Sequence, residues 1–344
     1  MKRRKHILIF GTASLLLFTL FQPAPAQAGG DDAQKQDEEA SKGYECREGA
    51  KNIARPPKDV TPGVKDRRGK EISGEAGRGI KREPLCPAGQ LPFPRAFKAG
   101  KGNPLFSGTA VDAPYNYAAS FESAGGSIPL FDGGGVVTIV EYPAISQAGG
   151  THSLHEISVQ GDAGNGDIVE IGWIEQPGDK ASRLFVFHWI GWNPTCYNGC
   201  GWVQWNPSIT PGMYLTTGSQ SYMGYVFWEG NWWGWYEDQW VGYFPGSEWK
   251  GNYTKASLIQ WFGEVYDSDP SPATDMGDGY RASDTRAARF WYPCEVNAAQ
   301  WVCWIDPTPS LNQPSLPWYS IENIGGSALR WGGPGARPGI GIDP

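Results

Sequence analysis

Two stretches of the chain hold a carboxylate in a setting suited to acid–base chemistry: Gly161 to Trp173, GDAGNGDIVEIGW, and Leu258 to Asp267, LIQWFGEVYD. A strand turns successive side chains to opposite faces. Glu170 therefore shares a face with Ile168 and Gly172, opposite the apolar set Val169, Ile171 and Trp173. Glu264 shares its face with Gln260, Phe262 and Tyr266, opposite Ile259, Trp261 and Val265. Both acids point away from the oily side. Two carboxyls brought into one cleft cannot both ionise cheaply, so one keeps its proton while the other acts as base, and together they activate water. Gln260 and Gln204 are the candidate donors to a developing oxyanion. Tyr266 and Trp232 are candidate walls of the same cleft.

Other chemistries lack the residues they need. The chain has no G-x-S-x-G elbow, no H-E-x-x-H and no G-x-x-x-x-G-K phosphate loop. His152 and His155 have an H-x-x-H spacing, but on a strand they face opposite sides and cannot share a metal. His188, in LFVFHWIGW, reads as a half-buried structural residue. The turn GDAGNGD lacks the spacing and the bidentate glutamate of a calcium loop. The reading thus requires neither metal nor cofactor.

The elements that would position the acids are strands. After Lys101, runs rich in Val, Ile, Tyr, Phe and Trp recur between Gly, Pro, Asn and Asp clusters, the pattern of antiparallel strands and turns. Strands are predicted near 113–122, 136–142, 153–159, 167–175, 184–192, 203–205, 222–228, 232–237, 239–244 and 258–266. So many at this spacing indicate an all-β sandwich or barrel. The Pro- and Gly-rich tail from Pro307 to Pro344 is expected to be irregular. All seventeen tryptophans lie between Trp173 and Trp331, too many for a core alone, so rows of rings are expected in an open cleft.

Ahead of these strands the chain reads as export machinery. Residues 1–28 have the basic start, apolar run and Ala26-Gln27-Ala28 cleavage site of a secretory signal. Loss of its four positive charges takes the formal net charge from −7 to −11, a poor match to nucleic acid. No other stretch is long and apolar enough for a membrane helix. Residues 29–101 are charged and poor in large apolar side chains, and read as a flexible pro-segment. The catalytic domain then runs from 102 to 344. Six cysteines in an exported chain favour disulfides, with nearest-neighbour pairing expected: Cys46 with Cys86, Cys196 with Cys200, Cys294 with Cys303.

A family resemblance rests on motifs in order: IVEIGWIEQP, RLFVF, CYNGCGWVQ, NWWGWYEDQWVGYFP, WFGEV, TDMGDGY and WGGPGARP. Together they resemble the catalytic domain of the neprosin family of glutamic endopeptidases, from about His152 to Arg337. Upstream, Leu85-Cys86-Pro87-Ala88-Gly89 looks like that family's Cys-Pro-Glu-Gly motif near the end of its activation peptide. The resemblance implies two large antiparallel sheets with a concave cleft, a catalytic pair at Glu170 and Glu264, a peptide or protein substrate, acid pH and cleavage after proline. The chain departs from the pattern at Phe262, where Gly is usual, and at His155-Glu156-Ile157-Ser158, where Ser-Gln-Ile-Trp is usual. These changes bear on the proline preference more than on the chemistry. A glycoside hydrolase, with carboxyls ~5 to 9.5 Å apart, is the alternative enzyme. A non-catalytic carbohydrate- or protein-binding sandwich is the third reading.

Overall fold

The structure is a computed structural model. It describes residues 43–51, 53–57, 63–65, 82–96, 115–123, 130–146, 151–162, 165–267, 269, 271–298, 302–305, 310–312, 318–325 and 328–336, with the backbone alone at 63–65, 115–116, 302–305 and 310–312. The expected signal segment 1–28 lies outside the described residues.

Strands β1 (Tyr44–Glu48), β2 (Gly63–Lys65) and β3 (Gln90–Pro94) come first. They are followed by β4 (Tyr115–Glu122), β5 (Gly133–Ile139), β6 (His152–Gln160), β7 (Ile168–Glu175) and β8 (Arg183–Ile190). Next are β9 (Asn193–Pro194), β10 (Val203–Gln204), β11 (Gln220–Trp228), β12 (Asn231–Tyr236) and β13 (Gln239–Pro245). After one 3-10 turn come β14 (Leu258–Asp267), β15 (Ala288–Asn297), β16 (Val302–Ile305), β17 (Ser310–Asn312), β18 (Ser320–Gly325) and β19 (Ala328–Gly332). Among the described residues there is no α-helix. The turn chemistry is local: Glu229 and Gly230, at φ 46° and 81°, close the β11–β12 hairpin with the left-handed pair that suits strand twist.

Two sheets form a sandwich. One has seven strands in the order β17-β4-β14-β6-β7-β8-β9. The other has ten, on the path β10-β13-β12-β11-β5-β15-β16-β2, with β19 beside β15 and β18 beside β19. Apart from the parallel β2–β16 pair, the ladders among the described residues are antiparallel. Alternate residues of the two inner faces interdigitate: Ile157, Val169, Ile171, Trp173, Ile259, Trp261 and Val265 from the smaller sheet meet Val136, Tyr225, Trp232, Phe244, Phe290 and Trp331 from the larger. These are the odd-numbered positions of β6, β7 and β14, so period-two alternation leaves the even-numbered ones for the outer, concave side.

Three expectations need correction. The tail is not irregular throughout, since β18 and β19 pair and β19 joins β15. Leu329 and Trp331 alternate with Arg330, and both are buried, which is a strand pattern hidden by flanking Gly and Pro. Strand β15 was missed because Tyr292, at φ 52°, and Pro293 interrupt it; the register shifts there, as at a bulge. The segment before residue 101 is partly ordered: β1 pairs β3, the Cys46–Cys86 disulfide ties them, and Leu85 N donates to Pro207 O at 2.8 Å. Among the described residues it forms no core cluster of its own, and Ile53 and Ala54 pack against a cluster of the ten-stranded sheet. Cys196–Cys200 is also bridged. Cys294 is disulfide-bonded, while Cys303, its expected partner on β16, falls where only the backbone is described.

Candidate active site

Strand register lays out the concave face of the seven-stranded sheet row by row. Gln260, Ser158, Glu170 and Phe187 form one cross-strand row over β14, β6, β7 and β8. The next holds Phe262, Glu156, Gly172 and Phe185, and the third Glu264, Leu154, Ile174 and Arg183. Glu170 and Glu264 thus share a face, one on each neighbour of β6. Two strand spacings and a four-residue offset put their Cα atoms on the order of 15 Å apart, a gap that two side chains must span. Glu156 stands at its midpoint, diagonal to both.

The motif glycines explain how large rings fit around the acids. A Cβ on Gly263, beside Glu264, would lie 2.1 Å from the Trp331 ring. One on Gly172 would lie 1.9 Å from His155 O and 2.8 Å from the Phe185 ring. Each glycine lets a neighbour close over the backbone, and neither site tolerates a side chain.

Electrostatically the face is an acidic pit with few donors. Glu170 is 6 % exposed; burial first, then the charge of Glu264, raise its carboxyl to about 8 against the hydrogen bond from Trp189 Nε1 to Oε2, 3.0 Å, which lowers it. Burial, and then Glu170 and Glu264, hold the Glu156 carboxyl well above the ordinary range. Glu264 Oε1 lies 3.2 Å from His152 Nε2, and the His152 ring stacks on Tyr266 at 5.3 Å. Tyr197 is buried against Phe187, 4.7 Å between centroids, and burial, then Glu264, Glu156 and Glu170, push its phenol well up. Among the described residues no group of His, Cys, Asp or Glu is arranged to hold a metal.

The other sequence candidates have different places. Gln260 lies on this face, its Nε2 donating to Glu122 Oε1 at 2.6 Å and its Oε1 accepting from Gln160 Nε2 at 2.6 Å. Tyr266 also faces the pit. Gln204 does not: it lies in the ten-stranded sheet, fully buried, with its amide donating to Asn206 O, Ile209 O and Val241 O. It staples a loop and cannot reach an oxyanion. Trp232 is core, not cleft wall, with no exposure and its Nε1 donating to Tyr253 O at 3.0 Å. The expected rows of open rings are not found among the described side chains, where each tryptophan is buried or half-buried. A sandwich with both faces of the larger sheet covered absorbs more rings than one core would.

Sequence reasoning missed two residues. Glu156 stands in the sequence only as a departure from a family motif, between His155 and Ile157 of the opposite face. An acid at an even position of a central strand, in step with His152 and Ser158, was the available signal. Tyr197 is bracketed by Cys196 and Cys200, and Asn198 fastens that loop to β8 by accepting from Val186 N at 3.1 Å.

A two-sheet antiparallel sandwich with buried carboxyls on its concave face is the class that fold and site define. Residues 149–307, a little under half of the chain, match the family model described as Neprosin, a match that supports assignment to that family and a glutamic-type peptidase. Among solved structures, the chain is similar to Scytalido-glutamic peptidase with a transition state analog inhibitor (12% identity, 64% of this chain and 98% of that one, TM-score 0.43). SCP-B, of the Eqolisin family, in complex with the tripeptide Ala-Ile-His, matches at 9% identity over 64% of this chain and 98% of its own, TM-score 0.40. Chicken Galectin 2 matches at 10% identity over 44% and 96%, TM-score 0.27.

Proposed function

We propose that Glu170 and Glu264 are the catalytic pair of an exported acid endopeptidase, with Glu264 as base and Glu170 as acid. The observation that carries the reading is their common placement on one buried face, on the two strands flanking β6, with Glu264 among the causes that raise Glu170. Glu264 takes a proton from water as the water oxygen bonds to the scissile carbonyl carbon, and His152 orients it from Nε2. Glu170 gives its proton to the leaving nitrogen as the C–N bond breaks. The pair ends with the proton on Glu264, and exchange with solvent restores the starting state.

The division of labour follows from surroundings. Burial keeps Glu170 protonated up to about 8, the form an acid needs, and turnover therefore declines as pH rises toward that value. Glu264 has a histidine donor beside it and a side chain 13% exposed, so water reaches it. The test is cleavage of casein and of paired peptides that differ only in Pro or Ala before the scissile bond. Glu170→Gln and Glu264→Gln should be inactive yet folded; full activity in either would refute the pair. Faster cleavage after Pro is expected, and equal rates would remove the proline preference while leaving the chemistry.

The same reading makes 29–101 a pro-segment and the mature chain extracellular. Two described disulfides and the absence, among described residues, of any helix long and apolar enough to cross a membrane are consistent with export. Amino-terminal sequencing of secreted material should find Gly29 on the precursor and a new terminus near 101 on the active form.

A further inference from the structure

The two-carboxyl mechanism leaves two acids of the face idle, Glu122, which accepts from Gln260, and Glu156, which is answered by no side chain among the described residues. It sits on the diagonal midway between Glu170 and Glu264, since Glu170 pairs with Ser158 and Glu264 with Leu154, two residues to either side of it on β6. Diagonal neighbours of this kind stand about 7–8 Å apart, within reach of long side chains. The residue is 4 % exposed, and its carboxyl makes no hydrogen bond among the described residues. A nearly buried polar group without a partner is destabilising, so its place in the floor of the site calls for a ligand that completes it.

Geometry says which atom that ligand would present. An acid and a base acting on one peptide bond must hold the leaving nitrogen and the attacked carbon between them, so the scissile amide lies over the midpoint. Gly172, beside Glu156 on β7, gives its place to the Phe185 ring, so the carboxyl has an apolar wall and no donor on that side. Gln260, the sequence candidate for the oxyanion, is already committed to Glu122 and Gln160. The groups facing Glu156 are Glu170 on β7, Glu264 on β14 and the Tyr197 phenol from the disulfide loop, with His152 beyond Glu264; the two glutamates oppose its ionisation.

We propose that Glu156 is a third catalytic residue, a neutral carboxylic acid whose O–H donates a hydrogen bond to the scissile carbonyl oxygen. As water adds, the C=O π electrons move to that oxygen and the bond from Glu156 shortens. The proton stays on Glu156, and it is released from the contact when the carbonyl re-forms and the C–N bond breaks. Burial, and the charge of the base Glu264, keep the acid in its donating form, the logic by which an apolar site turns a carboxyl into a hydrogen-bond donor. This rests on the Glu170–Glu264 reading, whose own failure would show separately as activity in Glu170→Gln or Glu264→Gln.

The test compares Glu156→Gln with Glu156→Met in the full-length, activated protein, using one chromogenic peptide. Gln retains an N–H donor at the same reach, while Met keeps the length and donates nothing. Glu156→Met should lose about 10²–10³-fold in kcat with KM changed less than threefold, the cost of removing one oxyanion donor. Glu156→Gln should recover kcat to within about tenfold of the parent, the fall expected when a neutral amide replaces an acid as donor. Glu156→Leu repeats the apolar arm should Met disturb folding, with near-ultraviolet circular dichroism as the check. An apolar variant within tenfold of the parent overturns the proposal. So does Glu156→Gln as impaired as Glu156→Met, because a residue that relays protons, and not one that merely donates, would give that result.

Discussion

Glu170 and Glu175 lie five residues apart on β7, hence on opposite faces, and burial raises both carboxyls to about 8. Glu175 belongs to a flank group with Glu141, also raised to about 8 by burial and then by Asp278. That group is compensated: Ser182 Oγ donates to Glu175 Oε2 at 3.2 Å, and Arg183 Nε donates to Asp179 Oδ1 at 2.7 Å while its guanidinium lies 4.0 Å over the Tyr214 ring. In the concave group Trp189 answers Glu170, His152 answers Glu264 and nothing answers Glu156, and no arginine or lysine is paired with any of the three among the described residues. A raised proton affinity therefore does not mark a catalytic acid. What distinguishes the two regions is whether the charge is answered by the protein or left to be answered by a substrate.

The largest effect that could break this comparison is on turnover. Glu170→Gln or Glu264→Gln should cut kcat by about 10²–10⁴-fold, the usual worth of positioned acid–base groups, whereas Glu141→Gln and Glu175→Gln should stay near the parent value. Peptide cleavage by all four, with melting curves alongside, decides it, and a flank variant as inactive as Glu170→Gln would erase the distinction.

A second effect, on pH dependence of stability, should be shared by the two regions. Glu141, Glu170, Glu175 and Glu237 each have a folded-state value near 8, above the ordinary 4.5. The stabilisation they give is complete below 4.5 and is lost as pH rises through 8. His155 and His188 act in the opposite sense: burial lowers them to about 3 and about 4, so their contribution holds above 6.5 and is lost as pH falls toward those values. Urea midpoints should thus decline from about pH 5 to 8, and Glu141→Gln with Glu175→Gln should flatten the decline without touching activity. A midpoint that climbs over that interval would contradict the burial of these acids.

Smaller effects sharpen the picture of the pit. His152→Gln, which keeps a donor beside Glu264, should lower kcat about tenfold or less, and His152→Ala more, with KM little altered. Phe262→Gly, next to Glu156 in its row, should change kcat/KM between Pro- and Ala-containing peptides by only a few-fold, about 1 kcal/mol. Equal effects on both peptides would show that Phe262 packs without selecting.

Much of this was legible from residue order, and the reason is the period of two. Alternation at Val169, Ile171 and Trp173 and at Ile259, Trp261 and Val265 assigned the oily face, and with it the outward direction of Glu170 and Glu264 before any contact was known. It also separated His152 from His155. Nearest-neighbour cysteines paired at 46–86 and 196–200 because each pair lies within one local segment. Strand neighbours across the sheet were another matter. That β6 runs between β7 and β14, with a register that makes Glu156 the midpoint, depends on pairings as far apart as Gln160 with Leu258, set by how two whole inner faces pack. Alternation says which way a side chain points but not what stands beside it, so Gln204 and Trp232 read as cleft residues although both belong to the ten-stranded sheet, where a loop holds the first and the core between the sheets buries the second.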